Sequence, residues 1–286
     1  MRRTKTLRNA IGVGDLAPGP DPVLVGVLNV TPDSFSDGGD FLDPDGAATH
    51  AAAMLEEGAR IIDVGGESTR PGSERVTPEE EARRVVPVVE RIVAERPEVI
   101  VSIDTYRAGI AEAALEAGAS IVNDVSALRG DPRMAGVVAE ARCPVILMHM
   151  LGEPKTMQLN PSYDEVVREV REFLAKRAEH AVASGVREEN IILDPGIGFG
   201  KTLEHNLALL NHLDSIVGLG FPVLVGASRK SFIGRITGVQ EARERLFGTV
   251  ATTVLAYERG ATLFRVHDVR ANREALAVVR AILDAG

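Results

Sequence analysis

Tryptophan is absent from this 286-residue chain, and cysteine occurs once. The single thiol, Cys143, can form no internal disulfide, which suits a reducing compartment such as the cytoplasm. Aromatic residues make up only 4% of the chain, too few for a row of stacking platforms along single-stranded nucleic acid. Positive charge is also short. Lys and Arg number 32 against 41 Asp and Glu, and the net charge of −9 argues against nucleic acid as a partner. A local cationic pocket for a small anion remains compatible with that field. No apolar run approaches the roughly 18 residues that a membrane span needs, and no apolar signal core follows the basic residues 1–9. Core-forming residues are in ordinary supply: 45% hydrophobic and 26% charged excludes disorder as the main state.

Residues 11–22 are rich in Gly, Pro and Asp, so residues 1–21 are expected to form a flexible arm ahead of one domain, 22–286. Within that domain, nearly continuous apolar runs recur at 23–30, 60–65, 99–104, 120–125, 144–150, 190–194, 222–227 and 262–266. Such runs fit strands buried on both faces of a parallel sheet. They start about 34 residues apart, the length of one βα unit. Asp43-Pro44 and Thr77-Pro78 pair an N-cap with proline at the first helical position. The longest amphipathic stretch is 163–184, with Gly185 as its stop. The strings EEGARII, EAGASIV and ERGATLF repeat one theme of helix end, glycine and strand. Eight such units predict an α/β fold, a single (β/α)8 barrel with long loops after strands 1 and 2. The rival, a doubly wound open sheet, wants a Gly-rich turn after its first strand, and here that turn reads NVTPDSFSDGG.

A barrel of this kind keeps its chemistry at the C-terminal ends of its strands. Asp104, Asn123 and Asp194 stand at the ends of strands 3, 4 and 6. Each alone reads equally well as a helix N-cap. Together they suit a flat heterocycle with an amidine-like edge, since a carboxylate accepts two parallel N–H bonds and an amide both donates and accepts. Arg265 and His267 lie two apart on strand 8 and so share a side, beside the usual barrel phosphate region. Of Arg229 and Lys230, after strand 7, one is expected to point away. PGIGFGKT imitates a phosphate loop, but Pro195 stands where that loop needs glycine, and Lys201 where a dinucleotide fingerprint needs one; a tight βα turn is the better reading. His149, between two methionines, reads as a packing residue, and Met148 as an apolar wall. The loops 31–43 and 65–77 are longer than ordinary βα loops, as active-site lids often are.

The strings GVLNVTPDSFSDGG, IIDVGGESTRPG, SIDTYR, IVNDVSA, LMHMLGEPKTMQ, ILDPGIGFGKT, GASRKSFIG and FRVHDV, in this order, resemble the dihydropteroate synthases, a pterin-binding TIM-barrel family. The resemblance implies a transferase of folate biosynthesis. It joins 6-hydroxymethyl-7,8-dihydropterin diphosphate to p-aminobenzoate, giving 7,8-dihydropteroate and pyrophosphate, and sulfonamides compete with p-aminobenzoate. It assigns the pterin to Asp104, Asn123, Met148, Asp194, Phe199 and Lys230, and the diphosphate to Asn29, Thr69, Arg265 and His267, with Mg²⁺ at Asn29. Phe35, Thr69, Arg70, Pro71, Phe199 and Ser231 would shape the p-aminobenzoate pocket. Lys230, Arg265, His267 and Asp104 would act at the reacting centre. The family also implies a cytoplasmic homodimer with small-molecule substrates and neither nucleic acid nor membrane as partner. Two rivals are a barrel methyltransferase using a methylated folate and a corrinoid, and an inactive pterin-binding paralogue. The first would not need STRPG, SRKSF or RVHD, and the second should have lost Asn29, Lys230, Arg265 or His267; all are present.

Overall fold

The computed structural model describes residues 21–31, 43–68 and 75–285. Eight parallel strands run in chain order: β1 (Val23–Asn29), β2 (Ile61–Gly65), β3 (Ile100–Asp104), β4 (Ile121–Asp124), β5 (Val145–Met148), β6 (Ile191–Asp194), β7 (Leu224–Val225) and β8 (Leu263–Val266). They pair in the order β6-β5-β4-β3-β2-β1-β8-β7. A parallel bridge between Leu193 and Val223 joins the two ends, so the sheet closes nearly into a ring. This is the expected barrel. The expected flexible arm, residues 1–21, falls largely outside the described residues; Asp21 itself pairs with Arg280.

The helices between strands are α1 (Pro44–Glu57), α2 (Pro78–Glu95), α3 (Ala108–Ala117), α4 (Met134–Ala141), α5 (Val166–Ala183), α6 (Leu203–Asn211), α7 (Asp214–Val217), α8 (Ser231–Thr237), α9 (Leu246–Glu258) and α10 (Val269–Asp284). Both capping expectations hold. The Asp43 carboxylate accepts from the Asp45 and Gly46 N–H groups, and the Thr77 hydroxyl accepts from Glu80 N–H. Helix α5 starts at Val166 rather than near 163, because the Glu165 side chain takes the Arg168 N–H and fixes the first turn there.

Strand alternation explains both sides of the barrel wall. One set of side chains, including Leu24, Ile62, Val101, Val122, Leu147 and Phe264, packs outward against the helices. The other set points into the lumen: Val23, Val25, Ile61, Ile121, Ile146, Ile192, Leu224 and Leu263 make a buried apolar floor. Two residues further along four of these strands the lumen turns polar. Ile61 is followed by Asp63, Ile121 by Asn123, Ile192 by Asp194 and Leu263 by Arg265. The floor excludes water from below, and the polar layer above it is the base of the site.

Candidate active site

Asp104, Asn123 and Asp194 do not cap helices. The residues at the N-cap positions of α3, α4 and α6 are Arg107, Arg133 and Thr202. The three polar strand ends are therefore free to face the lumen. Arg265 joins them: its Nη2 donates to Asp104 Oδ2 at 3.0 Å, and its Nε to Asp63 Oδ2 at 2.6 Å. Asp63 is fully buried and also accepts from Asn123 Nδ2 at 3.1 Å. Sequence reasoning gave Asp63 no role. The signal was an ionisable residue inside the apolar string IIDVGG, one pleat deeper than the strand ends.

Burial dominates the electrostatics. It pushes the Asp104 carboxyl up to about 7 against the pull of Arg265, with Asp63 adding to the rise. It also raises Asp194, although Gly196 N–H donates to Asp194 Oδ1 at 2.7 Å and Lys230 lies near. Lys230 is pulled down to about 7 by burial, against the attraction of Asp194. Burial opposes the charge of Arg265, but Asp63 and Asp104 outweigh it and hold the guanidinium above its usual range.

Lys230 Nζ donates to Ile197 O and sits 3.9 Å from the centre of the Phe199 ring. Its partner in sequence, Arg229, does turn away, to a two-pronged pair with Asp268 at 3.0 and 2.5 Å. Phe199 and Met148 border one apolar cluster with Val125, Met150 and Met157 at the mouth. His267 is set by Ser228. The hydroxyl accepts the His267 backbone N–H at 3.2 Å and lies 2.9 Å from the ring Nδ1. The two contacts fix the orientation of the ring, and the tautomer decides which of the hydroxyl and Nδ1 donates. Sequence reading missed Ser228 because the contact spans two loops. Asn29 Oδ1 and Asp104 Oδ2 share one corner, 3.8 and 3.6 Å from the place where a Cβ on Gly65 would stand. Ser231 is the first residue of α8 and is exposed. Phe35, Thr69, Arg70 and Pro71 lie outside the described residues.

The PGIGFGKT segment is the tight turn expected. Gly196 and Gly198 have φ of 65° and 82°, which glycine adopts freely. A Cβ on Gly198 would lie 2.8 Å from Lys230 Cδ, so the glycine makes room for the lysine stem. Lys201 closes the turn from inside. Its buried Nζ donates to Gly196 O at 2.9 Å and Phe199 O at 3.0 Å, and meets His149 Nδ1 at 2.9 Å. His149 is a packing residue, edge-on to Phe173, and burial followed by the charge of Lys201 lowers its pKa to about 2.

The chamber thus has acceptors (Asp104, Asp194), a two-way amide (Asn123), cationic donors (Lys230, Arg265) and apolar walls. It can hold a flat polar heterocycle with an anionic tail. The sequence pattern described as pterin binding enzymes matches residues 25–267. A dihydropteroate synthase of Mycobacterium leprae is 51% identical over 269 residues, 92% of this chain and 94% of its own. The structure of Xanthomonas albilineans dihydropteroate synthase with 4-aminobenzoic acid superposes with a TM-score of 0.87 at 47% identity, covering 92% of this chain and 93% of that one. The same enzyme in complex with 7,8-dihydropteroate gives 0.83 at 44% identity, covering 92% and 94%. The chain belongs to the pterin-binding enzyme family, among the dihydropteroate synthases.

Proposed function

We propose that the chamber residues divide the dihydropteroate synthase reaction between them as follows. The amino edge of 6-hydroxymethyl-7,8-dihydropterin diphosphate meets Asp104, Asn123 and Asp194, and Lys230 donates to O4 and N5. Met148 and Phe199 flank the ring. Arg265, His267 and Asn29, with Thr69, hold the diphosphate. p-Aminobenzoate approaches past Phe199, Ser231 and the residues Phe35, Thr69, Arg70 and Pro71. The observation that carries this reading is the Arg265 fork, which ties the anion end of the chamber to Asp104 at the pterin end.

The nucleophile is a neutral, weakly basic aniline, so little general-base help is needed. The harder problem is negative charge growing on the departing pyrophosphate, which Arg265 and His267 address by preorganised donation. The electron-rich dihydropterin can delocalise a methylene cation, so a dissociative path fits. Mg²⁺ suits the donor set, since Asn29 and Asp104 offer hard oxygens at one corner. An ion held by Asn29 and by substrate oxygens would offset leaving-group charge. The test is pyrophosphate release from the pterin diphosphate with p-aminobenzoate. Release that needs p-aminobenzoate, with 7,8-dihydropteroate formed in equal amount, supports the reading; release by water alone contradicts it.

The same groups set a pH dependence. Below about 7 Asp104 gains a proton and turns one of its acceptor oxygens into a donor, and Asp194, also raised by burial, adds to that loss. Above about 7 Lys230 loses the proton it donates. Affinity for a bare pterin analogue is expected to peak near neutral pH, and Asp104→Asn to weaken the acid limb. Calorimetry across the range checks this, and a flat profile would remove both groups from ligand contact.

A cytoplasmic homodimer completes the proposal. Cys143 is buried and free, which suits a reducing compartment. Leu207, Ile236, Phe247 and Leu255 lie exposed on α6, α8 and α9, helices that touch one another, and Phe247 is 86% exposed. An apolar patch of this kind favours a second copy of the chain. Light scattering is expected to return twice the chain mass, and a mass near one chain for Phe247→Asp.

A further inference from the structure

Asp63 is the least explained charge in the lumen. It is fully buried, and its Oδ1 has no hydrogen-bond partner among the described residues. A buried carboxylate left half unsatisfied is costly, and apolar residues of similar volume often do as well or better for stability. Its other oxygen, Oδ2, is used twice: Arg265 Nε donates to it at 2.6 Å and Asn123 Nδ2 at 3.1 Å. An ionised carboxylate can only accept, so the Asn123 amide must turn its NH2 toward Asp63. The Asn123 carbonyl oxygen is then directed away from Asp63. Arg265 offers no acceptor that could compete for the amide hydrogens.

We propose that Asp63 is a positioning residue for the pterin: it fixes the Asn123 amide so that the pocket meets an acceptor there rather than a donor. The proposal rests on the assignment of Asn123 to the pterin pocket. The chemistry it selects is a heterocycle edge rich in N–H groups, as the amino edge of a pterin is. With the amide reversed, two N–H donors would face one another across a dry lumen, and the substrate edge would be refused. Asp63 thereby acts on specificity without touching the substrate. It also holds Arg265 Nε, which leaves the outer nitrogens of the guanidinium for Asp104 and for an anion.

Asp63→Ala tests this. Alanine removes the acceptor that both Arg265 Nε and the Asn123 NH2 use, so nothing holds the Asn123 amide in one orientation. Affinity of the full chain for a bare pterin analogue, read by calorimetry, is expected to fall at least about tenfold. Adding Asn123→Asp places a carboxylate at 123, which accepts whichever way it turns, so the acceptor toward the pocket no longer depends on position 63. The double variant is expected to recover affinity to within about threefold of the native chain. A purely structural Asp63 would lower the melting temperature without this pattern of loss and rescue. Native affinity in Asp63→Ala, or a double variant as weak as that single one, would overturn the proposal. Should the single variant not fold, the double variant decides alone, since a loss of about tenfold in it overturns the proposal equally. Native affinity in Asn123→Ala would instead remove Asn123 from the pocket, the assignment on which the proposal rests.

Discussion

Replacing Arg265 with alanine is expected to slow pyrophosphate release by roughly 100-fold or more, the scale of losing one preorganised donor. The guanidinium is held before any substrate arrives, by Asp63 on Nε and Asp104 on Nη2. Its charge is secured by those two carboxylates against the cost of burial. Charge on the leaving diphosphate grows toward the transition state, so contacts from a fixed donor strengthen there and the loss falls on the chemical step. The structure adds a second consequence. Removing the guanidinium leaves Asp63 and Asp104 without their common cation, which favours the protonated form of Asp104 still further. Binding of a pterin lacking the diphosphate should change little at alkaline pH and weaken on acidification. Stopped-flow pyrophosphate release with saturating substrate, beside calorimetry with the bare pterin, separates the two. Normal release with lost pterin affinity would place Arg265 at the wrong half of the substrate.

The second large effect is expected from Asp194→Ala, on pterin affinity. Asp194 is buried at the end of β6, and Gly196 N–H occupies its Oδ1. Its Oδ2 remains for the 2-amino and N3 hydrogens of the pterin, with further capacity on Oδ1. Alanine leaves those N–H groups unpaired in a dry chamber, at about 1–3 kcal/mol or more. The Gly196 turn loses an anchor as well, but Lys201 still ties Gly196 O and Phe199 O, so the turn should persist. Pterin affinity should therefore fall by about tenfold to a hundredfold while binding of pyrophosphate with Mg²⁺ is kept. Near-native pterin affinity would exclude Asp194 from the site.

The barrel was legible in the sequence because strands buried on both faces read as unbroken apolar runs, and each βα unit announces itself with a cap or a glycine stop. The capping residues Asp43 and Thr77 act as their local patterns imply. Strand β7 was overdrawn: 222–227 is apolar, but only Leu224–Val225 pair as a strand, because the chain must turn at Ala227 to present Lys230. In the site, the strand ends Asp104, Asn123, Asp194 and Arg265 could be placed, since period-two alternation and the barrel rule suffice. Their partners could not. Arg265 and Asp63 stand 202 residues apart, and Ser228 and His267 39 apart, so no local spacing records either pair. Lys201 was seen only as the residue that spoils a fingerprint; its burial against three carbonyls and His149 depends on how the turn folds back.

A crystal structure of the protein with a pterin analogue and pyrophosphate bound together is the decisive experiment. The amino edge of the pterin is expected on Asp194 and the Asn123 carbonyl oxygen, the ring between Met148 and Phe199, and pyrophosphate within hydrogen-bond reach of Arg265 and the His267 ring. A pterin bound outside the lumen, or one turned so that its amino edge faces Arg265, would contradict this placement.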